Sequence, residues 1–389
     1  MNKRALTIIF VTVFIDLLGF GIVIPLLPLY AERFGASPTV IGWLLASYLI
    51  AQAIAAPLLG KLSDRIGRRP VLIASLAGSA ISFTLLGLAQ TLPWLFVARV
   101  LAGLAGGSVS AAKSYIADVT TPENRAKGMG FLGAGIALGY VFGPALGGVL
   151  THWHATLPYF VAGATSLLNC FSALLFLPAP PRTTPHATDE DLSALAHAGR
   201  LLVRPGLRSY LGMVFLITLS FSLFTGTFAL LAQHRFDYTP AKIGALLSFV
   251  GLMATLVQGG LIGPLVKRFR ELPLATAGAA MFAAGLALVP MAHGLTLMLV
   301  ALFLIGFGNS LNMPTLLALV SRAAPAREQG RVLGVQQSLE SVARIIGLVL
   351  GGWLFARGEW EPYACGAGLM ALATVFALSH FVSRRATPS

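Results

Sequence analysis

The sequence predicts an all-α membrane protein, with twelve transmembrane helices in two pseudo-symmetric six-helix bundles. Three observations predict it. Of 389 residues, 56% are hydrophobic and only 11% charged, whereas a soluble domain carries about 25% charged residues. Apolar runs long enough to cross a bilayer, about 20 residues each, recur from end to end. The two halves also align with each other at a near-constant offset.

The first run, near 5–31, follows Lys3 and Arg4 as a signal peptide would. It is too long for a signal's apolar region, and Pro25 and Pro28 stand where small residues would be cleaved, so it reads as an uncleaved first helix. Further runs fall near 39–60, 70–91, 93–115, 128–151 and 157–178, then 208–233, 240–264, 273–292, 295–320, 330–356 and 362–382. Glycine and proline occur inside them, as bilayer helices tolerate.

Charge sets the expected orientation. With the N-terminus cytoplasmic, twenty of the 27 Lys and Arg lie in cytoplasmic segments, and four (Arg33, Arg235, Lys242, Arg357) lie on the other side. Arg99, Lys113 and Arg344 fall within spans. The positive-inside rule then places both termini on the cytoplasmic side, and the expected location is a cell membrane, a bacterial inner or plasma membrane. The net charge of +13 is accounted for by topology, with contact to anionic membrane lipids as a secondary effect, and no nucleic-acid partner is expected. Cys170 and Cys365 lie in apolar runs without metal-ligand spacing, so no metal site and no cofactor is expected.

The one long break begins Pro-rich and continues with acids at Asp189, Glu190 and Asp191 and a late Arg200. This order suits a short amphipathic helix within a cytoplasmic linker. The expected organisation is a bundle over 1–180, a linker over 181–207 and a second bundle over 208–389. Gly60-Lys61-Leu62 aligns with Gly263-Pro264-Leu265 at an offset of 203, and Gly143 and Gly147-Gly148 align with Gly347 and Gly351-Gly352 at 204. Two parallel six-helix repeats describe a secondary transporter with its site near the midplane, between the halves.

Several motifs point further. The first span reads Leu18-Gly19-Phe20-Gly21-Ile22-Val23-Ile24-Pro25-Leu26-Leu27-Pro28, and the loop after the second reads Gly60-Lys61-Leu62-Ser63-Asp64-Arg65-Ile66-Gly67-Arg68-Arg69. The fourth span carries Arg99 and Gly103, and the fifth reads Gly139-Tyr140-Val141-Phe142-Gly143-Pro144-Ala145-Leu146-Gly147-Gly148. These segments resemble the signatures of the major facilitator superfamily, specifically its twelve-helix drug:proton antiporters. Tyr115-Ile116-Ala117-Asp118-Val119 is similar to the tetracycline efflux branch. The resemblance implies the major facilitator fold and proton-coupled export of amphiphilic, drug-like molecules by alternating access. The chain is expected to function as a monomer.

Asp16 is the most informative residue. It lies about 18 Å along the helix from Arg4, which is near midplane. An ionised carboxylate there is costly, so it should face the bundle interior. A carboxyl that gains and loses a proton there is what proton coupling needs, and Asp16 is the first candidate. The other reading is an Asp that only bonds a neighbouring helix. For Arg99 the resemblance implies proton transfer or a hold on the first helix. A structural role, capturing backbone carbonyls, stays open beside it, as does pairing with Asp16 across about 10 Å of depth.

The resemblance also implies that Asp64 and Arg68, with Asp118, form a conformational latch. Gly139, Gly143, Gly147 and Gly148, with Pro144, place small residues at every fourth position, which permits close helix contact and a tight seam. Glu340 and Arg344 form an i,i+4 pair on one helix face, open to a structural or a functional role. With Gln52, Phe224, Asn309, Asn312 and Gln336 they make up the candidate substrate pocket, a mixture suited to a greasy polar molecule. No acid occurs in the ninth span between Pro273 and Ala292, where tetracycline exporters carry one. That departure separates family from substrate.

Two other readings remain. The same scaffold could carry a small metabolite, because fold does not decide substrate. A membrane enzyme would need paired acids, a metal-ligand helix or a nucleophile with its base, and no His-Glu-x-x-His or Gly-x-Ser-x-Gly occurs.

Overall fold

The computed structural model describes residues 3–120, 122–178, 205–325 and 328–386. Most of the expected linker, including its amphipathic helix, lies outside them. Among the described residues the protein is built of helices, twelve of them long and apolar enough to span a membrane. The first six are α1 (Leu6–Val23), α2 (Pro38–Ile66), α3 (Arg68–Leu88), α4 (Leu92–Val119), α5 (Lys127–Leu150) and α6 (Leu157–Phe176). The second six are α7 (Gly206–Phe236), α8 (Pro240–Phe269), α9 (Glu271–Met291), α10 (Leu295–Ala323), α11 (Gln329–Phe355) and α12 (Glu361–Leu378).

Local chemistry explains where these elements stop and bend. α2 begins where Ser37, in extended conformation, accepts a hydrogen bond from the Val40 amide and Pro38 occupies the first helical position. It ends at Gly67, whose φ of +100° suits glycine and folds the chain at once into α3. α1 stops at Val23 and passes through a turn at residues 24–26, around Pro25, into a short helix, Leu27–Glu32. α4 is two helical pieces, Leu92–Leu104 and Ser108–Val119. α8 contains a π-helical turn, Val257–Leu261, at Gly259-Gly260, where the looser pitch leaves i→i+4 bonding interrupted.

By packing, the chain divides into two compact units. One holds the described residues of Met1–His186 with Phe228–Gly251, and the other holds those of Ala187–Thr227 with Leu252–Ser389. The division therefore crosses α7 and α8 instead of falling only in the linker. In the first unit α1 packs on α5 and α6, α2 on α4, and α3 on α6. The first part of α8 belongs to this unit and packs there through small residues: a Cβ at Gly148 would lie 2.5 Å from the Pro240 carbonyl oxygen. Ser248 Oγ also accepts the Ala145 amide at 3.0 Å, next to Pro144, which has no amide of its own.

The repeat read from the sequence is visible in the packing. A Cβ at Gly143 would lie 2.7 Å from Gly21 Cα and 2.9 Å from the Leu18 carbonyl oxygen. In the second unit a Cβ at Gly347 would lie 2.5 Å from Ser222 Cβ and 2.8 Å from the Leu219 carbonyl oxygen. Each half thus seats its fifth helix on its first through the same glycine, 204 positions apart. The turn between α8 and α9 repeats the Gly67 turn with a different residue, Arg270, at φ +63°.

Candidate functional site

The centre of the first unit is built where α1, α2, α3 and α4 meet. Asp16 on α1 is buried, 8% exposed. Ser108 Oγ donates to its Oδ2 at 2.5 Å, with the Ser79 hydroxyl of α3 near the carboxyl. Ser108 opens the second piece of α4, so the break in that helix is what presents its hydroxyl to α1. Val13 and Leu17 on α1 and Ala111 and Ala112 on α4 belong to one buried apolar cluster.

The break also exposes a carbonyl. Gln52 Nε2 donates to the Gly106 carbonyl oxygen at 2.8 Å and to the Tyr48 hydroxyl at 3.1 Å. Gln52, a pocket candidate from the sequence, is in this structure bound to its own chain. Beside it Arg99 is buried, 2% exposed, with its guanidinium carbon 4.6 Å from the centre of the Tyr48 ring. That is a cation–π contact in a desolvated setting, where such contacts are strongest. The Nε and Nη1 of Arg99 have no protein hydrogen-bond partner.

No ion pair joins Asp16 to Arg99 among the described residues. Tyr48 is instead within electrostatic reach of both. Phe20 lies tilted beside it at 5.2 Å and meets Tyr140 edge-on at 6.3 Å. Sequence reasoning did not single out Tyr48, whose only local signal is its spacing of four from Gln52.

The loop after α2 gathers the expected latch residues. Arg68 Nη1 lies 2.6 Å from Asp64 Oδ1 and donates to Ser63 Oγ at 3.1 Å, while Arg68 Nε lies 3.5 Å from Asp118 Oδ2. One guanidinium therefore spans two carboxylates from different helices, an arrangement for which its planar fork of donors is suited. In α5, Gly139, Gly143 and Gly147 all face α1, as small residues at a helix seam do.

At the opposite end of the unit a cavity of about 230 Å³ is lined by Tyr30, Arg33, His152, Tyr159, Thr239 and Pro240, among others. The Tyr30 hydroxyl donates to the Ala89 carbonyl oxygen at 3.0 Å. Burial holds its phenol above the ordinary value, with the Arg33 charge opposing. Nearby, His234 Nε2 on α7 lies 2.9 Å from Glu32 Oε1.

In the second unit Gln336 Nε2 donates to Glu340 Oε1 at 3.0 Å, and Arg344 Nη2 lies 3.5 Å from Glu340 Oε2. Glu340 is thus held between two neighbours on its own helix. Phe224 is buried in a ring cluster, 6.1 Å from Phe221, which in turn meets Phe282 at 6.2 Å. Asn312 is fully buried where α9 and α10 approach through Gly278 and Gly308, and neither polar atom of its side chain has a protein partner. The Oδ1 of Asn309 is likewise unpartnered.

The Major Facilitator Superfamily model matches residues 9–348 and 261–389 of the chain. The chain is 28% identical over 384 residues to multidrug resistance protein 1 of Bacillus subtilis (strain 168), covering 97% of each. It is 30% identical over 396 residues to the class H tetracycline resistance protein of Pasteurella multocida, covering 100% of this chain and 98% of that one. In structure it is similar to the human organic anion transporter MFSD10, with a TM-score of 0.69 at 24% identity over 96% of this chain and 99% of the other.

Proposed function

Because the chain belongs to the major facilitator superfamily, a family of transporters and not an enzyme class, we propose that it is a proton-coupled antiporter. It exports amphiphilic, drug-like molecules by alternating access. Its relatives named for multidrug and tetracycline resistance match nearly the whole chain, and its twelve spans make it a multi-pass membrane protein.

The observation that carries the mechanism is Asp16, a carboxyl buried at about mid-membrane depth and held by Ser108. A charge there is expensive and a neutral acid is not. Gaining and losing one proton therefore changes the energy of the two states of the transporter differently, which is the requirement for coupling. Asp16 is the proton carrier and Arg99 the buried cation that responds to it. Asp64, Arg68 and Asp118 act as a latch in the basic loops, which are cytoplasmic with both termini. The α1–α5 glycine seam prevents leakage. The substrate pocket draws on Phe224, Asn309, Asn312, Gln336, Glu340 and Arg344, and on Gln52 when it releases the chain. The protein works as a monomer in a bacterial inner or plasma membrane, without a cofactor.

The test is transport in liposomes under an imposed pH gradient, comparing wild type with Asp16→Asn. Drug addition is expected to move protons in wild type and none in the variant. If both moved a drug equally against its gradient, the Asp16 mechanism would fall. If no drug in a broad panel moved protons in wild type, a metabolite would replace the drug as substrate.

A further inference from the structure

The three charged residues of the first-half latch have counterparts in the second half, and every sign is reversed. Asp64, Arg68 and Asp118 correspond to Lys267, Glu271 and Arg322, 203 or 204 positions further on. The pairing is repeated along with the spacing. Arg68 is the first residue of α3 and Asp118 the last but one of α4, and the two are joined at 3.5 Å. Glu271 is the first residue of α9 and Arg322 the last but one of α10, joined at 2.8 Å. In each unit one ion pair ties the start of the third helix to the end of the fourth.

The reversal matters because each of these charges sits in the first or last turn of a helix. A helix N-terminus carries partial positive charge and a C-terminus partial negative charge, so anions are favoured at the first and cations at the second. Glu271 and Arg322 both meet that preference. Arg68 and Asp118 both go against it. The distances agree: buried Glu271 makes the shorter link between helices, while Arg68 shares its guanidinium with Asp64 at 2.6 Å. The second pair also adjoins Arg270, whose φ of +63° stands where the first half has a glycine. Strain of that kind persists only where neighbouring contacts over-determine it.

We propose that the two pairs are clamps of unequal strength, matched to different parts in the transport cycle. The first-half clamp, set against its helix dipoles, opens during transport and frees the start of α3 from the end of α4. The second-half clamp, set with its dipoles, stays closed and keeps the start of α9 on the end of α10. Glu271 and Arg322 are therefore positioning residues, acting through the two helix ends they hold. The opening of the first clamp rests on the antiport reading above, whereas the difference in strength does not.

The experiment exchanges the charge sets in the full chain. One variant, Asp64→Lys with Arg68→Glu and Asp118→Arg, gives the first half the signs of the second. The reciprocal variant, Lys267→Asp with Glu271→Arg and Arg322→Asp, does the opposite. Thermal unfolding and amide hydrogen exchange are read in detergent, and pH-driven uptake of tetracycline and ethidium is read in liposomes beside equilibrium binding of the same probes. In the first variant Tm is expected to rise by about 2–4 °C. Protection of amides near the start of α3 rises about tenfold, the scale of two charges moved from the wrong helix ends to the right ones. Uptake falls by a similar factor, because the opened state becomes rarer by that factor, while probe affinity holds. A merely structural pair would not slow transport as it gains stability. In the reciprocal variant Tm falls, and so does protection near the start of α9. A lower Tm in both variants would show that packing and not the dipoles selects the signs. A first variant that is more stable yet transports at the wild-type rate would show that its clamp does not open. Either result overturns the proposal. If wild type takes up neither probe in response to pH, the antiport reading and the opening of the first clamp fall together, and Tm and hydrogen exchange still decide the difference in strength.

Discussion

Ser108 Oγ donates a 2.5 Å hydrogen bond to Asp16 Oδ2 across 92 positions of sequence. The donor stands where α4 restarts at Ser108 after a break at residues 105–107. The break therefore serves two partners at once, offering a hydroxyl to the carboxyl and the Gly106 carbonyl to Gln52.

The α1–α5 seam gives the first prediction. Gly143→Leu places a side chain where Gly21 Cα already lies 2.7 Å from a Cβ position, and backbone cannot yield there. Overpacking of this kind costs about 1–3 kcal/mol or more. Thermal unfolding in detergent should show a clear loss of Tm, and Gly130→Ala on the same helix, with open space around it, should show none.

A second prediction concerns the basic loop. The Arg68 pairs with Asp64 and Asp118 are partly solvated, so they contribute no more than about 1 kcal/mol to folding. Arg68→Ala is expected to leave Tm nearly unchanged. If the cluster is a latch, transport falls several-fold while drug affinity holds, as read by flux against equilibrium binding.

The third prediction follows from the repeat. Arg270 occupies the position of Gly67 with φ +63° and ψ 172°, a region that side chains adopt at a cost of about 1–3 kcal/mol. Arg270→Gly should raise Tm. Gly67→Arg, at φ +100°, should lower it by a similar amount.

These residues also mark how far the sequence could be read. The spans were legible because each must bury some 20 apolar residues, and all twelve lie close to where the runs place them. Asp16 stood out as an acid in the middle of an apolar run, and the glycine offset of 204 foretold a seam that both halves make. What was not legible depends on partners far apart in the chain. Nothing local to Ala105-Gly106-Gly107 fixes a break there as against a glycine-tolerant helix. Tyr48 and Tyr159 look like ordinary bilayer aromatics until Arg99 and the cavity are placed beside them. Gln52 had the composition of a pocket residue, and only the freed Gly106 carbonyl shows what it bonds. Within the first unit, the early part of α8 packs on α5 through small residues, Gly148 and Gly244.

The most direct measurement is drug-evoked proton release from purified protein in weakly buffered detergent solution, followed with a pH indicator. Wild type is expected to release protons on binding a transported drug, with the signal absent in Asp16→Asn although the variant still binds that drug. Undiminished release from Asp16→Asn would contradict Asp16 as the proton carrier.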